Sequence, residues 1–153
     1  MRLSYNWLKE LIPDLFWNPE EVAEKLTMSG TEVESLRPAW PELEGVVVGH
    51  VEKIDLHPEA KNLKICQVNI GQKKLQTVCG APNVERGQRV ALALPGAKLP
   101  DGLEMKEAET KGIKSTGMIC SEKELGIGEV ADAILVLDET VSTGTSLAEA
   151  LRL

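Results

Sequence analysis

The sequence predicts a mainly β chain: a barrel of short strands preceded by a small α+β segment. Three observations carry that prediction. Apolar residues recur at helical spacing before Gly45 and at a period of two after it. Glycine and proline turn signals follow one another closely through the later part, as short strands require. All five aromatic residues, Tyr5, Trp7, Phe16, Trp17 and Trp40, fall within the first forty positions. Two segments of different composition therefore meet at the stiff stretch Pro38-Ala39-Trp40-Pro41.

Ser4 is placed as an N-cap, with Trp7, Leu8, Leu11 and Ile12 following at helical spacing until Pro13 ends the turn. Asn18-Pro19-Glu20-Glu21 is a stronger helix start. It offers a capping side chain, a proline at the first helical position, where its missing N–H is not needed, and a glutamate three residues after the cap. Val22 and Leu26 stack one turn apart, and Gly30 follows as the C-cap. Thr31 to Leu36 alternates and reads as a short strand. So little chain buries little surface. Trp7, Phe16 and Trp17 need cover, either from the rest of this chain or from a missing segment or partner.

Val46-Val47-Val48 leads into Val51, Ile54 and Leu56 as a long first strand, with a bend expected at Gly49. His57-Pro58-Glu59-Ala60 is a turn with its histidine at the surface, and a second strand covers Leu63 to Ile70. Gly71-Gln72-Lys73 is a hairpin into Lys74–Cys79. In the central stretch Gly80, Pro82 and Asn83 hold one turn, Pro82 by its fixed φ and Asn83 by its tolerance of a left-handed conformation. Gly87 serves a second turn, Val90 to Leu94 is a buried strand, and Pro95-Gly96 makes a third turn. Met105 to Ile113, broken at Gly112, and Ser115 to Cys120 add strands, with Gly117 letting the chain pass close to the barrel. Glu122 to Leu125 gives one helical turn, Ile134 to Leu137 a last buried strand, and Thr145 caps a terminal helix, Ser146 to Leu151. Five or more short strands with a small helix between the late ones fit a five-stranded barrel of the oligonucleotide/oligosaccharide-binding (OB) type. A β-sandwich is the other architecture the pattern allows.

Charge and aromatics narrow the function. The net charge of −7 arises outside the strand-rich middle, where residues 46–137 carry twelve acidic and twelve basic side chains. Nucleic-acid binders normally gain affinity from a basic excess that releases counterions from phosphates, and OB-type barrels commonly stack bases on aromatic rings. This chain offers neither, so nucleic acid would be held by backbone or shape, weakly and with steep loss in salt. The candidate contacts are Lys53, His57, Lys61, Lys64, Arg86, Lys98, Lys111 and Lys114; the competing reading of the same side chains is a solvated surface. Cys66, Cys79 and Cys120 are odd in number and far apart, which reads as buried small hydrophobes. His50 and His57 have no cysteine near enough for zinc spacing, and Cys79 lacks the partners of a catalytic thiol. Gly126-Ile127-Gly128 lacks the third glycine and the helix of a dinucleotide site, and Glu107 and Glu109 read as solvent-facing acids. No catalytic or metal-binding set is expected. Apolar runs such as Ile134 to Leu137 are too short to span a bilayer, and MRLSYNWLKEL has no signal-peptide core, so a cytoplasmic protein without membrane association is expected.

Five stretches in fixed order carry a family resemblance: MRLSYNWLKELIP, PEEVAEKLTMSGTEVE, HPEAKNLKICQVNIG, VCGAPNVERGQRVALALPGAKLP and KGIKSTGMICSEKELGIG. Together they resemble the N-terminal part of the β chain of bacterial phenylalanyl-tRNA synthetases. The span from about Val46 to Leu137 is similar to the tRNA-binding-type OB domain which that chain shares with appendages of methionyl- and tyrosyl-synthetases. The family turn usually reads His-Pro-x-Ala-Asp-Lys-Leu; here Lys61-Asn62 replace the Asp-Lys pair.

The resemblance implies that residues 1–39 form the first half of a split α+β domain, 40–144 the OB domain, and 145–153 the start of the returning half. It implies a cut fragment that exposes Trp7, Phe16 and Trp17 and is able to self-associate through them. It implies a non-catalytic module supporting aminoacylation of tRNA(Phe) by a whole enzyme that uses ATP and Mg2+. That enzyme is an α2β2 assembly whose α chain carries the chemistry, and this segment itself needs no cofactor. The alternative is a protein–protein docking module within the synthetase with little or no direct RNA binding.

Overall fold

The computed structural model describes residues 1–37 and 43–151. The chain divides into two units, Met1–Ala39 and Trp40–Leu153. The connection at Pro38–Pro41, with Trp40, lies outside the described residues.

In the first unit Ser4 Oγ accepts from the Trp7 N–H at 3.4 Å to open α1 (Tyr5–Leu11). The capping box at Asn18 is complete. Asn18 Oδ1 accepts from the Glu21 N–H and Glu21 Oε2 from the Asn18 N–H, both at 2.8 Å, opening α2 (Pro19–Met28). The helix ends in a Schellman motif: Gly30 takes φ +99°, and the Thr31 N–H reaches back to the Leu26 carbonyl at 2.9 Å. Neither helix buries a residue. The strand expected over Thr31–Leu36 does not form. The alternation is present, but a strand needs a neighbour to receive its ladder. What these residues have instead is local: the Val33 N–H donates to Thr27 Oγ1 at 3.1 Å.

The second unit is antiparallel β. Its elements are β1 (Val46–His57), β2 (Ala60–Asn69), β3 (Lys74–Cys79), β4 (Arg89–Ala93), β5 (Ala108–Thr110), β6 (Ile113–Ser115), β7 (Met118–Ile119), β8 (Val136–Leu137) and a short α3 (Leu147–Ala150). The main sheet runs β3-β2-β1-β4-β7, with β8 also on β4, and β5–β6 is a separate hairpin. A closed five-stranded ladder is not what the pairing shows. Among the described residues, β3 meets the stretch from β6 to β7 through isolated bonds and no ladder: Thr116 N–H to the Gln76 carbonyl at 2.8 Å, Val78 N–H to Ser115 Oγ at 3.1 Å and Gln76 Nε2 to the Lys114 carbonyl at 2.8 Å.

Two clusters make the core. Val46, Val48, Ala91, Ala93, Leu99, Cys120, Leu125 and Leu147 form one; Val51, Cys66, Val68, Val84, Val90, Leu92 and Ile119 belong to the other. β4 lies between them and is buried on both faces, which is why Val90 to Leu94 reads as an unbroken apolar run. β1 feeds both clusters by simple alternation, Val46 and Val48 into one and Val47 and Val51 into the other, and the register shift between Val51 and Lys53 then returns Ile54 to the second cluster's side. That shift and a second one between Leu56 and His57, not Gly49, are where the pairing of the strand is irregular. Gly49 is needed for a different reason: a side chain there would collide with Val68 Cγ1.

One further expectation stands and two are corrected. Glu122 to Leu125 gives one hydrogen-bonded turn, with the Leu125 N–H on the Ser121 carbonyl at 3.2 Å and the Gly126 N–H on that of Lys123 at 3.0 Å. The terminal helix is capped by Ser146, whose Oγ accepts from the Glu149 N–H at 3.3 Å, because the Thr145 carbonyl is taken by the Val48 N–H at 2.9 Å. Asn83 is not left-handed: Lys111 is the sole non-glycine residue with positive φ among those described.

Candidate nucleic-acid interface

Strand register decides which polar side chains share a surface. The rows His50–Asn69–Lys74, Lys53–Gln67–Gln76 and Asp55–Ile65–Val78 lie across β1, β2 and β3. They face away from the core side that holds Cys66, Val68, Leu75 and Thr77. This outer face is polar but already paired. Lys53 meets Asp55 at 3.1 Å, and Lys74 meets Glu52 at 2.6 Å. Asn69 Nδ2 donates to Glu52 Oε1 at 2.8 Å, and Gln67 Nε2 donates to Gln76 Oε1 at 3.2 Å. Lys74 and Asn69 together hold the Glu52 carboxyl below its ordinary range. Exposed ion pairs add little stability, yet the acid in each one offsets the attraction its cation offers to a phosphate.

The eight candidate side chains fall into five situations. Lys53, paired to Asp55, borders a shallow depression that Arg86, Gly87 and His50 also line. Lys64 is turned to the fold: Nζ donates to the Val84 carbonyl at 3.1 Å and approaches that of Pro82 at 3.5 Å, holding the loop before β4. His57 is not a surface turn residue, being 4% exposed. Its Nδ1 accepts from the Glu59 N–H at 3.1 Å, which leaves the proton on Nε2 to donate to the Thr110 carbonyl at 3.1 Å. It clamps the β1–β2 turn to the β5–β6 hairpin and has no face for a base. That hairpin carries Lys111 at its tip and Lys114, which pairs with Glu107 at 2.8 Å; Lys61 follows Ala60 at the clamped turn. Lys98 lies near the other end of β1, where Ala97 sits against Gly45. The 12 residues of β1 amount to about 35 Å of strand, so Lys98 and Lys111 do not belong to one contact.

The turn residues have clear tasks. Gly87 and Gly96 adopt φ +92° and +91°. Pro95 precedes Gly96 in the turn leaving β4, and Gly80 leaves room for Leu63 Cδ2. Gly117 has φ +142°, and a Cβ there would stand 2.9 Å from the Ala93 carbonyl oxygen, so the chain does pass tightly over β4. Asn83 works through its side chain. Oδ1 accepts from the Ile134 N–H at 2.9 Å and Nδ2 donates to the Ile134 carbonyl at 3.1 Å, while Gln88 Nε2 donates to the Asn83 carbonyl at 3.0 Å. Sequence reasoning missed this clamp, the His57 clamp and the Lys64 anchor, because each partner lies between 18 and 53 residues away.

No reactive thiol is present among the described cysteines. Burial pushes Cys66 and Cys120 up to about 12 and raises Cys79 as well, leaving all three protonated at neutral pH. Among the described residues no three His, Cys, Asp or Glu side chains converge as for a metal ion, and no helix is long and apolar enough to cross a membrane.

Residues 46–146 match the family described as "Putative tRNA binding domain". The whole chain is 44% identical over 153 residues to a phenylalanine–tRNA ligase beta subunit from Desulfotalea psychrophila, covering 19% of it. It is 46% identical over 154 residues to the corresponding subunit from Nitratidesulfovibrio vulgaris, again covering 19%. The chain thus spans about a fifth of the length of the curated relatives it matches. Among solved structures, a MetRS related protein from Pyrococcus horikoshii superposes with a TM-score of 0.49 over 65% of this chain and 85% of that one, at 18% identity.

Proposed function

This chain belongs to the tRNA-binding-domain family, and on that premise we propose that it is the N-terminal, non-catalytic module of a phenylalanine–tRNA ligase β subunit that holds tRNA by its backbone. The observation that carries the reading is a coincidence of boundaries. The matched residues, 46–146, run from the first residue of β1 to the cap of α3, so the sequence family and the β unit are the same object. We read that unit as an OB barrel built on β1, β2, β3, β4 and β7, its open seam bridged at Thr116 and Gln76.

The surrounding enzyme supplies the rest. We assign aminoacylation of tRNA(Phe) to an α2β2 assembly with its active site in the α chain, working in the cytoplasm. ATP and Mg2+ belong to that assembly; the described residues of this segment bring no carboxylate set together for a metal. Met1–Ala39 is the first half of a split α+β domain. Residues 145–153 are expected to begin the returning half, but Leu147, fully buried in the β unit's core, supports counting α3 with the barrel instead.

One observation favours a second reading, docking to protein neighbours. Trp7, Phe16 and Trp17 are 54%, 83% and 39% exposed. The two readings separate in the full assembly carrying Lys53→Ala, Arg86→Ala and Lys111→Ala together. Weaker tRNA binding by an intact assembly, measured by filter binding and light scattering, supports the RNA module. Lost assembly with unchanged RNA affinity supports docking and refutes the proposal.

A further inference from the structure

Lys111 has φ 48° and Gly112 φ +79°, and they are the two residues between Thr110 and Ile113, which pair across β5 and β6. Positive φ at both central positions is type I′ geometry, which favours Asn-Gly. Lysine is disfavoured there because its Cβ crowds its own backbone. Such a local conflict is the kind of strain that gathers at functional sites.

The tip is held firmly. The Thr110 carbonyl accepts from His57 Nε2 at 3.1 Å, the Lys114 carbonyl from Gln76 Nε2 at 2.8 Å, and Ser115 Oγ from the Val78 N–H at 3.1 Å. The hairpin is therefore stitched along β3 and to the β1–β2 turn, which brings Lys111 beside the turn that carries Lys61. Lys53 and Lys114 are neutralised by acids, whereas Lys111 and Lys61 form no ion pair among the described residues. The N–H groups of Lys111 and Gly112 have no protein partner among the described residues, and nothing stands within 4 Å of the position a Gly112 Cβ would take. A cation, two unused amide donors and open backbone are the elements of a phosphate contact.

We propose that the Lys111-Gly112 tip, with Lys61 beside it, is the point where this domain grips a phosphodiester of RNA, and that His57 is the positioning residue that fixes the tip. The inference rests on the tRNA-binding reading above and names its site. Lys111→Asn tests it, because asparagine suits the turn and removes only the charge. The chain is titrated with tRNA by fluorescence anisotropy from about 50 to about 200 mM KCl. The variant binds several-fold more weakly at the lowest salt, the slope of log K against log salt becomes shallower by about 0.7 to 0.9, and the melting temperature rises. Lys123→Asn, the same charge change on the turn after β7, leaves affinity and slope unchanged. His57→Gln weakens binding on its own but adds nothing to Lys111→Asn, as expected of residues acting together. Unchanged affinity and slope in Lys111→Asn, with the unaltered chain binding normally, overturn the site and leave the tRNA-binding reading standing. Equal losses in Lys111→Asn and Lys123→Asn, or a lower melting temperature in Lys111→Asn, also overturn it. No binding by the unaltered chain at the lowest salt brings down both.

Discussion

Asn83→Ala removes the amide that closes a ring on the backbone of Ile134, 51 residues later. Ile134 is 7% exposed, so water does not readily replace the lost partners. Two hydrogen bonds at about 1 kcal/mol net each, together with the cost of leaving a largely buried N–H and C=O unpaired, give a destabilisation of about 2 to 4 kcal/mol. That is a large part of the stability of an ordinary domain. With an m-value of about 2 kcal/mol/M, the urea midpoint falls by about 1 to 2 M. The assay is urea unfolding followed by far-UV circular dichroism, since the β unit has no aromatic residue after Trp40 to report by fluorescence. Asn83→Asp keeps an acceptor for the Ile134 N–H but loses the donor, and it unfolds between the two. A loss below about 0.5 kcal/mol in Asn83→Ala, under the cost of even one buried hydrogen bond, would refute the clamp.

Gly117→Ala places a Cβ against the Ala93 carbonyl at a φ that L residues rarely adopt, and costs about 2 kcal/mol or more by the same assay; a neutral result removes the tight crossing over β4. Cys66 and Cys120 ionise near 12 when folded against an ordinary value of 9.0. The unfolded chain therefore releases these protons first. Stability is full below about 9 and falls as pH rises toward 12, while serine replacements flatten that limb of the curve. Native thiols also react slowly with a disulfide reagent at neutral pH, and stoichiometric fast labelling contradicts their burial. Trp7 and Trp17 emit as water-exposed indoles in this chain and shift to the blue in the full β subunit; identical spectra count against the split-domain proposal.

Local signals were legible in the sequence where the physics is local. The capping box at Asn18, the glycine stop at Gly30 and the hairpin after Asn69 depend on residues a few positions apart, and they stand as read. Thr31 to Leu36 was misread because alternation reports which side chains suit a sheet, not whether a neighbouring strand exists. His57 was placed at the surface because a turn and a proline usually mean solvent; its burial depends on Thr110, across 53 residues. The Asn83 residue was singled out for the right turn but the wrong reason, its amide mattering rather than its φ. For the candidate interface, the sequence shows a middle segment of balanced charge but not which cations meet an acid, as Lys53 and Lys114 do. Which cations remain unpaired depends on fold geometry, and so Lys111 stood undistinguished among eight.

The most direct measurement is a salt titration of tRNA binding by this chain. A module that grips a few phosphates, without stacking rings or surplus positive charge, binds with a dissociation constant of about 1 μM or weaker near physiological salt and loses affinity steeply as salt rises. Sub-micromolar binding that persists at that ionic strength contradicts the account, because it demands base recognition that the described surface does not provide.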